Sequence, residues 1–210
     1  NKKREEFRNY ISSFDAKSYN PVFNKKFNAL LASLQKMDGI RASVSKLSIS
    51  PKDAIGYYTG LNGQNLDLIG YMANLSPSPE IVVSIVGYTN FLQGKERAGI
   101  ERAVGANGFA SGQFTSAAMD KFKGLISAQV TYNNIFLSFA TEEQAKIYND
   151  VMNGSASREV DRMRDIALAG GLEGNLLGIG GKYWFDTITQ KINGLKQIED
   201  SLSGDLKNHM

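Results

Sequence analysis

Three arginines of this chain, Arg41, Arg102 and Arg164, fall on helical faces that are otherwise apolar. A guanidinium cannot shed its charge in a protein. Turned inward, it needs a carboxylate or a bound anion, because an unpaired buried charge costs several kcal/mol. Its planar fork donates two parallel hydrogen bonds, which suits a planar oxyanion. Two chemistries stay open. One is a small-anion site between helices. The other is a set of structural ion pairs, with Asp38 and Asp165 close in sequence, or side chains that reach out to water along their apolar stems.

The faces follow from the turn of about 100° per residue. In KERAGIERAVG (95–105) two Glu-Arg-Ala triplets stand five residues apart, which is not a helical repeat. With Tyr88 as origin, Phe91, Leu92, Gly99 and Ala103 lie within roughly 60° of it, with Arg102 among them. Arg97 falls on the opposite side, expected in solvent and within reach of Glu101 one turn on. Arg41 shares a stripe with Phe23, Phe27, Leu34 and Met37. Arg164 lies with Val160 and Ala167, whereas Arg162 points away.

Other chemistries find little support. The chain has no cysteine and one histidine, His209, read as a tail residue. A thiolate or His-based metal site and a Ser-His-Asp triad are therefore disfavoured, and no cofactor is expected. GIGG (178–181) lacks the lysine and the preceding strand of a phosphate loop. Carboxylate pairs such as Glu96 and Glu101 do not converge on one helix face, so an enzyme is not expected.

The elements that must position the arginines read as helices throughout. Spans are expected at 3–14, 20–46, 51–74, 79–109, 116–139, 141–153, 157–169 and 182–203. Apolar residues recur at three and four residues in the longest of them. Ser50-Pro51 and Ser78-Pro79 are start signals, and Thr141 with Gln144 forms a capping box. Thr115 or Ser116 caps the helix after the SGQF turn. IVVSIVGY is β-branched but lies downstream of a cap and runs on into the glutamate–arginine stretch, so it is read as helix. AGGLEGNLLGIGGK is a loop. The fold class is all-α: antiparallel helical bundles sharing long helices, with about seven to eight helices. Residues 1–210 are read as a single domain, divisible into two packed sub-bundles.

The chain has 210 residues, 42% of them hydrophobic, enough to bury a core. Its net charge of +3 comes from 24 basic and 21 acidic residues mixed along the chain, so no nucleic-acid partner is expected. No apolar run reaches the roughly 18 residues of a membrane span, and no signal peptide is visible. The 21 glycines exceed what a helical protein needs, and some are expected to allow close helix contact.

Several segments resemble, in order, the NIT domain, the nitrate- and nitrite-sensing domain of bacterial receptors and regulators. MDGIRASV (37–44) resembles the family's Leu-x-x-Leu-Arg-x-x-Val run. ISPKDAIGYYTGLNGQNLDLI (49–69) resembles its tyrosine–threonine helix. FLQGKERAGIERAVGANGFASGQF (91–114) resembles its Lys-Glu-x-x-Gly-x-Glu-Arg-Ala block, with Arg102 at the family's arginine. EVDRMRDIAL (159–168) and YWFDTITQKINGLKQIED (183–200) resemble its closing helices. The resemblance implies an all-helical fold with an oxyanion pocket between two bundles. It implies nitrate contact for Arg102 and Arg164, and a structural or rim role for Arg41. The family's usual first helix, with a Gln-x-Glu-Arg-Gly-type motif, has no counterpart in these residues. As partners the resemblance implies nitrate or nitrite, a second copy of the chain, and transmembrane helices with a signalling domain flanking it. It further implies the periplasmic sensor domain of an inner-membrane chemoreceptor, or alternatively a cytosolic domain joined to an RNA-binding antiterminator. Formate or another small carboxylate shares the geometry of nitrate. A bundle whose arginines are all ion-paired would bind nothing.

Overall fold

The computed structural model describes residues 2–208, so His209 lies outside the described residues. These residues fold as α-helices α1 (Lys2–Ser13), α2 (Pro21–Gln35), α3 (Met37–Ser45), α4 (Pro51–Met72), α5 (Pro79–Ala110), α6 (Ser116–Phe139), α7 (Glu142–Met152), α8 (Ser155–Gly170) and α9 (Gly181–Asn208), with two short 3-10 turns and no strand among them. The eight expected helices are all present. The second is split into α2 and α3 at Lys36, whose backbone N–H bonds back to Ser33 and Leu34 rather than continuing the α-helical ladder.

Local signals explain the starts. The Asn20, Ser50, Ser78 and Thr115 side chains each accept a hydrogen bond from the backbone N–H three residues on. Thr115 rather than Ser116 is therefore the cap of α6. Thr141 and Gln144 form a reciprocal capping box. IVVSIVGY is helical within α5.

The chain divides into two compact units, Asn1–Leu75 and Ser76–Met210. Each α-helix lies wholly within one of them. Unit 1 is built on α2 and α4, which run antiparallel. Lys26 meets Asp67 at 2.5 Å, Tyr57 donates to the Ser33 carbonyl at 2.8 Å, and Tyr71 donates to Asn20 at 3.0 Å. Its core is Phe23, Phe27, Leu30, Leu61 and Leu68. Phe14 and Tyr19 extend that core as a run of aromatic rings.

Unit 2 contains α5 to α9, with α5 at its centre against α6 and α9. Most of the buried residues of α5 are spaced four and three apart: Gly87, Phe91, Gly94, Ala98, Glu101, Gly105 and Gly108. Those of α9 do the same: Gly181, Trp184, Ile188, Lys191, Leu195, Ile198 and Leu202. This is the spacing of a coiled-coil seam. The seam of α5 is largely glycine, so neighbouring elements approach its backbone closely. At Gly105 a Cβ would collide with the Trp184 ring, and at Gly181 one would meet the Ala106 carbonyl of α5 at 2.6 Å. The two apolar clusters of unit 2 form around Phe109, Phe122, Met163 and Trp184, and around Phe91, Phe136, Leu195 and Ile198.

Candidate functional site

Between those two apolar clusters the seams of α5, α6 and α9 each carry a polar residue: Glu101, Gln129 and Lys191. All three are buried, Glu101 with 0% of its surface exposed and Lys191 with 3%. Arg164 reaches into the same layer from α8. Its Nε and Nη2 atoms donate to the two Glu101 carboxylate oxygens at 2.7 and 2.6 Å, the bidentate fork geometry. Nη2 also donates to Gln129 Oε1 at 3.0 Å, and Gln129 Nε2 returns a bond to Glu101 at 2.8 Å. At the rim, Arg164 Nη1 meets Asp161 at 2.9 Å. Asp161 is half exposed, unlike its partner.

The layer acts on the groups around it. Burial first, and then the Arg164 charge, push the Lys191 ammonium down to about 8 from its ordinary 10.5; Glu101 and Asp161 pull the other way. Tyr148, from α7, is pushed up to about 12 mainly by burial, with Arg164 and Asp161 acting on it in opposite senses. Four helices, α5, α6, α8 and α9, thus contribute to one charged layer inside an otherwise apolar bundle.

The three arginines singled out by sequence do not converge. Arg164 turns inward as expected, with 11% of its side chain exposed, yet its partners are Glu101 and Asp161 rather than Asp165. Arg102 is half buried. Its Nη1 donates to Thr189 Oγ1 at 3.1 Å, its guanidinium lies 4.8 Å from the Phe185 ring centre, and its carbonyl accepts from Trp184 Nε1 at 3.0 Å. Thr189 and Lys191 are two residues apart on α9, hence about 200° around it. Arg102 and the Arg164 layer therefore sit on opposite flanks of α9.

Arg41 is exposed on α3 and makes no ion pair among the described residues. Its expected place on an apolar stripe assumed one continuous helix from 20 to 46. The break at Lys36 shifts the phase, so residues after it leave the face of Phe23 and Phe27. Arg97 departs from expectation as well. It is half buried, lies 4.8 Å from the Tyr132 ring centre, and donates to Gln93 rather than pairing with Glu101.

Sequence reading missed Glu101 and Lys191, the first because of the glycines of α5. An apolar wheel weights Tyr88 and Leu92 and ignores glycine, so it turns the buried face of α5 away from the Gly87–Gly94–Glu101–Gly108 seam. The signal was present in the four-and-three spacing from Gly181 to Leu202, in which Lys191 interrupts Trp184, Ile188, Leu195 and Ile198.

A concavity in unit 2, about 400 Å³, is lined by Pro79, Val83, Tyr88, Phe139 and Leu202 among others. No arginine or lysine lines it, which makes it a poor match to an anion.

The family model described as nitrate and nitrite sensing matches residues 1–207. A nitrate regulatory protein of Klebsiella oxytoca is 28% identical over 175 residues, covering 83% of this chain and 43% of that protein. The solved structure of the NasR transcription antiterminator superposes with a TM-score of 0.84 at 24% identity, over 97% of this chain and 54% of that one. At that identity the likeness is one of fold. The chain spans about half the length, or less, of these two proteins.

Proposed function

Because the chain belongs to the NIT family of nitrate- and nitrite-sensing domains, we propose that it is the ligand-binding input module of a nitrate- or nitrite-responsive regulator. The observation that carries this reading is the family match over residues 1–207. The relatives named above are a regulatory protein and a transcription antiterminator. They favour a regulator over the periplasmic chemoreceptor expected from the sequence. No helix among the described residues is long and apolar enough to cross a membrane.

Within the chain, the charged layer of unit 2 is the place best suited to a small oxyanion. Arg164 supplies a fork already engaged by a carboxylate, the side chain closest in shape to nitrate. Arg102 is a second candidate contact on the other flank of α9, and Arg41 stands apart on the surface. Anion binding that competes with Glu101 for Arg164 changes how α5, α8 and α9 are held together. α9 then carries the shift toward its C-terminal end and the output, with a second copy of the chain as the expected partner. The module does no chemistry on its ligand; it reads occupancy as a shift between two packings.

A second reading follows from the same pair. With Arg164 satisfied by Glu101, the layer is also a structural ion pair that needs no ligand, and formate or another small carboxylate would fit wherever nitrate does. Thermal unfolding separates these. Nitrate or nitrite at 100 times its dissociation constant adds about 2.7 kcal/mol, which raises the midpoint by roughly 5–11 °C. A rise with nitrate or nitrite supports the sensor. A rise with formate alone changes the ligand. No rise with any anion, at fixed ionic strength, leaves the structural ion pair.

A further inference from the structure

Lys191 sits on the buried seam of α9 with 3% of its surface exposed. Among the described residues its ammonium makes neither a hydrogen bond nor an ion pair. The groups that face it are all otherwise engaged or apolar. From α5, Glu101 is held by Arg164 and Gln129. From α8, Arg164 is bound to Glu101, and Asp161 is bound to Arg164 at the rim. An ammonium whose stem is buried, whose tip keeps little water and which has no protein partner for its three donors is costly. An apolar side chain of the same length would fill the seam at no such cost. What the position offers instead is a set of donors without a protein partner, close enough to Arg164 to feel its charge.

We infer that Lys191 is an anion contact of the charged layer, donating to a small monovalent oxyanion held between α8 and α9 beside Arg164. This rests on the anion-sensing reading and adds to it a residue that neither the apolar-face pattern nor the family resemblance singled out. It also makes recognition depend on proton uptake. Only the protonated amine both donates three hydrogen bonds and carries the charge that attracts the anion. Arg164 stays charged throughout, so any loss of affinity at alkaline pH belongs to the lysine. Binding in turn stabilises the protonated form and raises the pH at which the lysine titrates.

The test is calorimetric titration of sodium nitrate into the full 210-residue chain, at about pH 6.5 and about pH 9.5 at fixed ionic strength, for the wild type and Lys191→Met. The wild type is expected to lose roughly tenfold or more in affinity at the higher pH. Lys191→Met is expected to bind at least roughly tenfold more weakly at the lower pH and to show no pH dependence. Equal wild-type affinity at both pH values, with Lys191→Met binding as the wild type does, overturns the role of Lys191 and leaves nitrate sensing intact. Absence of nitrate binding to the wild type at either pH overturns both. If Lys191→Met does not melt cooperatively, the wild-type pH dependence decides alone, because it needs no variant.

Discussion

Unit 1 and unit 2 are both helical and both have a phenylalanine-rich core, but they are held together differently. In unit 1 the interior is apolar, and the charged pairs, such as Arg8 with Asp38 and Lys26 with Asp67, lie at the surface or partly so. In unit 2 a charged layer cuts the core into two apolar clusters. Burial of apolar area is non-directional, so unit 1 is stabilised wherever its faces meet. The layer of unit 2 is directional. Glu101, Gln129 and Arg164 satisfy one another only in one register of α5, α6 and α8. A polar residue on a seam fixes register at a cost in stability. Unit 1 is therefore held by non-directional burial, and unit 2 is held in addition by a layer that fixes one register.

The largest effect that separates the units is loss of one partner of the layer. Arg164→Met leaves the Glu101 carboxylate buried and unpaired and is expected to cost about 3–5 kcal/mol. Adding Glu101→Leu should recover much of that loss. Urea unfolding of the single and double variants checks it, and a double variant no better than the single would break the comparison. Phe27→Ala in unit 1 is expected to cost a similar 3–5 kcal/mol through the cavity it leaves, with no rescue from any charge change.

Next in size is pH. The folded value of Lys191 is about 8 against an ordinary 10.5, so between those values the unfolded chain holds the proton that the folded chain has released. Stability should therefore rise with pH across that window, on the order of 3 kcal/mol in all. Above 10 the trend reverses, because Tyr88 and Tyr148 ionise in the unfolded chain first, their folded values being about 12. All three groups lie in unit 2. Lys191→Met should remove the rise and leave the fall, as read from melting midpoints across the range.

A smaller effect tests the seam. Gly105→Ala places a Cβ against Trp184 and is expected to destabilise by about 1–3 kcal/mol. Gly60→Ala on α4, where a Cβ meets nothing within 4 Å, should stabilise by about 0.5–1 kcal/mol. Smallest is Lys26→Ala in unit 1, expected to change stability by roughly 1 kcal/mol or less because Asp67 is mostly exposed.

Much of this was legible in the sequence. Caps such as Ser50, Ser78 and Thr141 are read from local chemistry that does not depend on the rest of the fold, and they mark the helix starts to within a residue or so. Arg164 was legible as an inward cation because Val160 and Ala167 flank it on a short, unbroken helix. Arg41 was misplaced because one 3-10-like step at Lys36 shifts every later residue on the wheel, and no proline or cap signals that step. Arg102 was placed near its true side but too deep. The face of α5 that is buried is paved with glycine, which carries no hydrophobic signal, so the acid of the Glu101-Arg102 pair takes the interior and the base takes the edge. The carboxylate chosen by Arg164 lies 63 positions away in sequence, a pairing that only packing decides.

The most direct measurement is a set of amide 15N–1H spectra of the chain recorded through a nitrate titration. Saturable shifts centred on Glu101, Gln129, Arg164 and Lys191, with the core of unit 1 around Phe23 and Phe27 unmoved, are the predicted result. Shifts centred on Arg41 with the layer still, or no saturable shift at all, would contradict the account.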